Sequence, residues 1–329
     1  MDSVPSITDI VDRLHVVALP MRVKFRGIIV RELALIDGPA GWGEFGPFLE
    51  YEPPEAAAWL ASAIEAAYFP PPATRRDRIP INATVPAVAA ADVSEVLARF
   101  PGARTAKVKV AEPGQTLADD VARVDAVRAQ VPTVRVDANG GWTVAEAVDA
   151  INALGALEYV EQPCKTVNEL AEVRRRVDVP IAADESIRKA DDPLRVVRSG
   201  AADVAVLKVA PLGGVVKLLA IAGQIEVPVV VSSALDSAVG IGRGLLAAGA
   251  LPELRHACGL GTGGLFVEDV AEPLAPVDGH LPVAPVAPDP ARLAALAAPA
   301  VRRQWWIDRI TACFASGRAD LMAEQQERP

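Results

Sequence analysis

The sequence predicts an α/β protein whose larger part is a parallel (β/α) barrel. Three observations predict it. From about residue 79, short apolar runs alternate with longer amphipathic stretches, as in a parallel sheet whose strands are joined by helices. Eight such runs occur, at 79–85, 105–110, 133–137, 157–161, 180–184, 203–208, 228–232 and 257–260, and eight strands close a barrel. Four consecutive runs end in a polar residue, each 23 or 24 residues from the last, as one βα unit per step requires. A doubly wound open sheet is the structural alternative, but it would normally be shorter and reverse its strand order.

The elements before the barrel are mixed. Residues 14–19 and 27–36 read as strands, and the Gly-Pro-Ala-Gly run 38–41 as a turn between strands. Residues 42–48, rich in Gly and aromatics, read as a loop. Residues 54–67 form an alanine-rich helix with Pro near its start. The stiff run Phe69-Pro70-Pro71-Pro72 cannot be helix interior and marks a boundary. The expected units are 1–78, the barrel 79–284, and a tail 285–329 that turns helical and returns to the first unit. Within that tail, Trp305 and Trp306 suit packing on the first unit or on a second subunit.

Composition excludes several classes. At 329 residues and 51% hydrophobic, the chain buries a sizeable core and is not disordered. A net charge of -9 makes it a poor general partner for nucleic acid or an anionic membrane. A small anionic carboxylate is still admissible where a metal or buried lysines supply local positive charge. Three cysteines without a CxxC pair argue against a disulfide framework or structural zinc. Residues 1–20 lack the basic start and apolar run of a signal peptide, and no apolar stretch reaches membrane-spanning length. The expected compartment is the cytoplasm.

The strand-end residues carry the chemistry. Asp137, Glu161, Asp184 and Lys208 recur at equivalent places, at the C-terminal mouth where barrel active sites lie. One acid at a strand end reads equally as a helix cap or a surface ion pair. Three in register repel one another unless a cation intervenes, and an all-oxygen ligand set suits Mg²⁺, with Mn²⁺ able to substitute. One strand earlier, Lys107 and Lys109 alternate with valines in the run Ala106-Lys107-Val108-Lys109-Val110, so both lysines share a face. An edge strand with a solvated lysine face would look similar. Barrel strands are buried on both faces, however, so the valines face the helices and the lysines face the interior. Lys208 points inward by the same alternation, from the opposite side of the barrel. Burial and neighbouring positive charge lower a lysine's pKa, which suits a base near neutral pH.

These residues resemble the enolase superfamily, in its muconate-lactonizing-enzyme subgroup. The likeness rests on Lys107-Val108-Lys109, Asp137-Ala138-Asn139, Glu161-Gln162-Pro163, Asp184-Glu185-Ser186 and Lys208, in this order and spacing. It implies a (β/α)7β modified TIM barrel with an α+β capping domain built from both termini. A finer likeness, in 42–48, 232–236 and 259–264, is to the o-succinylbenzoate synthase family of actinobacterial type. That family dehydrates 2-succinyl-6-hydroxy-2,4-cyclohexadiene-1-carboxylate in menaquinone synthesis.

The resemblance implies roles. Lys109 takes the proton alpha to the carboxylate and returns it to the departing hydroxyl, while Lys208 stabilises the enediolate. Asp137, Glu161 and Asp184 hold Mg²⁺. Lys107 tunes Lys109 and touches the substrate carboxylate. Arg135 shares Asp137's face and reaches substrate directly or through water. Asn139 and Glu185 support the ligands, and Ser232, Ser233, Gly261 and Thr262 hold succinyl or carboxylate oxygens, the serines being equally open to a structural role. Two opposed lysines also suit an N-succinylamino acid racemase, or another acid-sugar or amino-acid enzyme of the subgroup. A dipeptide epimerase would carry Asp-x-Asp after the last strand, and 259–264 has none. A mandelate-racemase-like enzyme needs a His late in the barrel, but His256 precedes the last strand and belongs near the opposite mouth. A barrel kept only for binding has no use for so many buried charges. Residues 20–26 and 45–51 are the expected specificity loops, with Lys24 and Arg26 available to an anionic tail.

Overall fold

The computed structural model describes residues 5–25, 27–188 and 192–326. Near the N-terminus β1 (Leu14–Phe25), β2 (Ile28–Gly38) and β3 (Gly41–Phe45) form an antiparallel sheet. The helix Pro53–Tyr68 and the C-terminal helix Ala300–Gln326 pack with this sheet into one apolar core that includes Leu33, Leu35, Phe45, Trp59 and Trp306. Trp306 is buried there, edge-on to Phe45 with its Nε1 on Glu32, whereas Trp305 stays partly exposed.

β4 (Arg78–Pro80) leads into the barrel strands β5 (Ala83–Val85), β6 (Thr105–Lys109), β7 (Thr133–Asp137), β8 (Val160–Glu161), β9 (Ile181–Ala183), β10 (Val204–Lys208) and β11 (Val229–Ser232). β5 to β11 make one parallel sheet in sequence order. β12 (His280–Pro282) pairs antiparallel with β4. The outward residues of the barrel pack under the helices, and Tyr159, Ala182, Val204, Val206 and Val230 fill its interior.

Three expectations need correction. Residues 79–85 are not one strand: the chain leaves β4 and its antiparallel partner before entering the barrel at β5. Residues 257–260 are not a full strand. The ring closes there by single parallel bridges, Ile81 with Cys258 and Ser232 with Gly259, before the Gly-rich segment turns away. Residues 42–48 are not all loop, because β3 takes up Trp42 to Phe45. Gly43 explains this: a Cβ there would lie 2.0 Å from the Ala63 carbonyl oxygen, so its absence lets the strand lie directly on the helix backbone.

Local sequence starts most barrel helices. Thr116, Thr143 and Thr166 each form a reciprocal capping box with the acid three residues on. The helix Val215–Ala222 has no such cap, because Gly214 precedes it. The capping domain supplies one: Glu65 accepts from the amides of Val215 at 2.7 Å and Val216 at 3.2 Å. Glu44 of β3 likewise accepts from the amides of Ser237 and Gly240, each at 3.1 Å, at the start of the helix Ala238–Ala250. Two acidic side chains of the cap thus supply acceptors to the amides at the starts of two barrel helices. Glu65→Ala is expected to lower stability by about 1–3 kcal/mol, since buried amide donors lose their acceptor. Urea unfolding checks this, with Glu65→Gln losing less, and an unchanged midpoint for the alanine variant would remove Glu65 from the account.

Candidate active site

The sheet register places the polar residues in rows. Lys109, Asp137 and Glu161 stand side by side on β6, β7 and β8, with Lys107 and Arg135 one inward position below. Lys208, Ser232 and Gly259 form a row on the facing wall. Asp184 follows β9 directly. Lys107, Lys109, Asp137, Glu161, Asp184 and Lys208 are all buried.

Each acid meets a cation. Lys107 Nζ donates to both Glu161 oxygens at 2.9 Å and lies 3.4 Å from Asp137 Oδ2. Lys109 Nζ donates to Asp137 Oδ2 at 2.5 Å and Asn139 Oδ1 at 2.7 Å, over the Phe25 ring. Lys208 Nζ donates to Asp184 Oδ2 at 2.5 Å, and Arg188 Nε to Asp184 Oδ1 at 3.1 Å. Burial, then the neighbouring charge of Asp137, pushes Glu161 up to about 7. Burial alone would lower Lys107, but Glu161 and Asp137 outweigh it and raise its pKa, so Lys107 is held charged.

Lys107, Lys109, Asp137, Lys208, Ser232, Ser233 and Thr262 line one cavity of about 30 Å³, together with Phe25 and Leu235. That volume holds about one water. Gly259 belongs to this wall, because a Cβ there would lie 2.3 Å from Ser232 Oγ. Ser233 Oγ meets Thr262 Oγ1 at 2.8 Å and the Gly259 carbonyl at 3.1 Å.

The donor set fits a hard divalent cation. Three buried carboxylates with no His or Cys among them converge here, Asp137 and Asp184 raise the proton affinity of Glu161, and a cation relieves that repulsion. Among the described residues no three acids, histidines or cysteines already stand in a metal-ready group. Lys107 bridges Glu161 and Asp137, and a cation held by the three acids would share those carboxylates with the lysines.

Comparison with known proteins agrees with this arrangement. Residues 89–289 match the enolase C-terminal domain-like family and 16–67 the enolase N-terminal domain-like family. The chain is 78% identical to the o-succinylbenzoate synthase of Mycolicibacterium smegmatis over 95% of this chain and 99% of that one. It is 74% identical to the o-succinylbenzoate synthase of Mycobacterium leprae over 94% of each. The chain belongs to the o-succinylbenzoate synthase family of the enolase superfamily. The fold agrees with the muconate lactonizing enzyme of Pseudomonas fluorescens, solved with muconolactone, at TM-score 0.73 and 23% identity over 87% of this chain and 98% of that one. The Pseudomonas putida enzyme gives TM-score 0.71 at 21% identity over 87% and 98%.

In this member of the o-succinylbenzoate synthase family, two expected site residues lie elsewhere. Arg135 does not reach the mouth. Its guanidinium closes onto Glu158 Oε2 at 2.8 Å, the Tyr159 hydroxyl at 2.7 Å and the Ala257 carbonyl at 2.9 Å, with His256 on the other Glu158 oxygen. It is a polar tie across the barrel floor. Gly261 faces a separate cavity of about 250 Å³ beyond the 259–265 turn, lined by Phe100, Leu260 and Phe266 and without the lysine–acid set. Asn139 Nδ2 donates to Glu185 Oε1 at 3.2 Å, beside Asp137 and Asp184. Lys24 is exposed, and Arg26 lies outside the described residues.

Sequence reading missed three supports. Gln162 accepts from the amides of Asp184 and Ser186 and donates to Ser186 Oγ at 2.7 Å, locking one strand end to the next. Its signal was its place in the Glu-Gln-Pro motif. Arg188 had the signal of standing four residues after Asp184 on one helical face. Glu44 had none. Burial, then Asp236, pushes Glu44 up to about 8. The folded protein therefore holds a proton that the unfolded chain releases near its ordinary value of 4.5. The stability this confers is present at low pH and lost as pH rises through about 8. Glu44→Gln is expected to flatten the fall in melting temperature from about pH 5 to pH 8.5. An unchanged slope would place the titration elsewhere.

Proposed function

We propose that this chain is a Mg²⁺-dependent o-succinylbenzoate synthase. It would dehydrate 2-succinyl-6-hydroxy-2,4-cyclohexadiene-1-carboxylate to o-succinylbenzoate, the step its family performs in menaquinone synthesis. The observation that supports the reading most is that Lys109 and Lys208 reach one cavity from opposite walls of the barrel. A small carboxylate lying between them has a base on one face and a fixed positive charge on the other.

Asp137, Glu161 and Asp184 would hold the Mg²⁺. When bound, it supplies positive charge to the substrate carboxylate, which stabilises a dianion at the adjacent carbon. Lys109 takes the alpha proton, and Asn139 Oδ1 keeps its Nζ oriented. The enediolate so formed lies against Lys208. Lys109 then returns its proton to the departing hydroxyl on the same face, completing a syn-dehydration. Lys107 stays protonated on Glu161 and Asp137, so it serves as fixed charge rather than as a base. Ser233 and Thr262 offer hydroxyls to the succinyl or carboxylate oxygens. Among the described residues no helix is long and apolar enough to cross a membrane.

Loss of the diene's ultraviolet absorbance, followed with purified protein and Mg²⁺, tests this. Rapid loss that stops on adding chelator is expected. No loss where another synthase of the family works would overturn the reading and leave alpha-proton exchange of N-succinylamino acids as the reaction to measure.

A further inference from the structure

We propose that the capping domain sets the orientation of Lys109 through Tyr51 and Arg188, which act as positioning residues. The inference rests on Lys109 being the base. A continuous run of polar contacts crosses from cap to barrel. Arg188 Nη1 donates to the Tyr51 hydroxyl. Arg188 Nη2 donates to Glu185 Oε1 at 2.6 Å, and its Nε to Asp184 Oδ1 at 3.1 Å. Asn139 Nδ2 donates to the same Glu185 oxygen at 3.2 Å, and Lys109 Nζ donates to Asn139 Oδ1 at 2.7 Å.

The polarity of this run is fixed. Guanidinium and ammonium groups only donate and an ionised carboxylate only accepts, so the amide of Asn139 must turn its NH₂ to Glu185 and its oxygen to Lys109. Rotating any member breaks the next contact. The cap end is rigid too. Tyr51 is buried, packs on Trp59 at 5.6 Å between ring centroids, and its carbonyl accepts from Arg309 of the C-terminal helix at 2.7 Å. Elements from both ends of the chain therefore fix Tyr51. Its hydroxyl does not line the lysine cavity, so it acts through Arg188 and not on substrate.

Tyr51→Phe keeps the ring packing and removes only the hydroxyl. Full-length protein with Mg²⁺ is expected to show kcat lower by about ten-fold, KM within about two-fold, and a shifted pH limb for the base. In an Asn139→Ala background the same change is expected to cost less than about two-fold, because the run is already cut. Arg188→Lys, which keeps charge and loses the fork, is expected to match Tyr51→Phe. Wild-type kcat and pH profile in Tyr51→Phe, a lower melting temperature with unchanged kcat, or full additivity with Asn139→Ala would each overturn the proposal. Wild-type protein inert towards the diene would instead defeat the synthase reading. The coupling is then read from the crystal structure of Tyr51→Phe, where an unmoved Asn139 amide overturns it.

Discussion

Lys109→Ala is expected to reduce kcat by about 10²–10⁴-fold while the protein remains folded and able to bind Mg²⁺. The size follows from its place. Its Nζ is the group in the cavity that both an acid and an amide oxygen orient, at 2.5 and 2.7 Å. Removing a positioned base leaves proton abstraction to water, while Lys208 and the carboxylates still stabilise charge. Folding should tolerate the change, because Asp137 keeps Lys107 at 3.4 Å. Steady-state loss of diene absorbance measures the effect. Deuterium exchange at the alpha carbon gives a second readout, since it vanishes only if the base is gone. A variant retaining more than about a tenth of wild-type turnover would sink the assignment, because a positioned general base typically contributes about 10²-fold or more.

Asp184→Asn is expected to abolish stabilisation by Mg²⁺. A ligand present at about one hundred times its Kd raises the stability of the native state by about 2.7 kcal/mol, which thermal melting reads directly. The amide keeps the shape of the side chain and removes its charge. It also leaves Lys208 and Arg188 facing a neutral group in a buried setting, so the metal-free variant should melt below wild type. The two effects separate cleanly: the first is the missing shift on adding Mg²⁺, the second the lower starting point. An Asp184→Asn protein that gains as much from Mg²⁺ as wild type would remove Asp184 from the ligand set, and with it the metal reading of the three acids.

Much of the site was legible because a barrel is periodic twice over. Within a strand, alternation decides which face a residue takes, so Lys107 and Lys109 were assigned inward beside outward valines. Between strands, a repeat of 23 or 24 residues brought Asp137, Glu161, Asp184 and Lys208 to one end. Both rules are local and read directly from order and spacing. Arg135 shows their limit. It shares the inward face with Asp137, as alternation requires, but two residues down the strand it meets Glu158, Tyr159 and the Ala257 carbonyl on the floor. Face is a property of the strand, whereas depth and partners are properties of the closed barrel.

The sequence by itself therefore determined the fold class, the inward lysines and the acids at the mouth, together with helix starts such as Thr116, Thr143 and Thr166 that find their partner three residues on. The tertiary structure alone decided what those groups touch. Glu65 caps a helix 150 residues away, Glu44 another 193 away, and Tyr51 meets Arg188 across 137. The backbone at the mouth belongs with these: Gln162 is held at φ 41°, a left-handed conformation its side chain does not favour, beside Asn139 at φ 47°, where asparagine is tolerated. A buried charge takes whichever partner the fold brings nearest, and that partner has no fixed place in the chain.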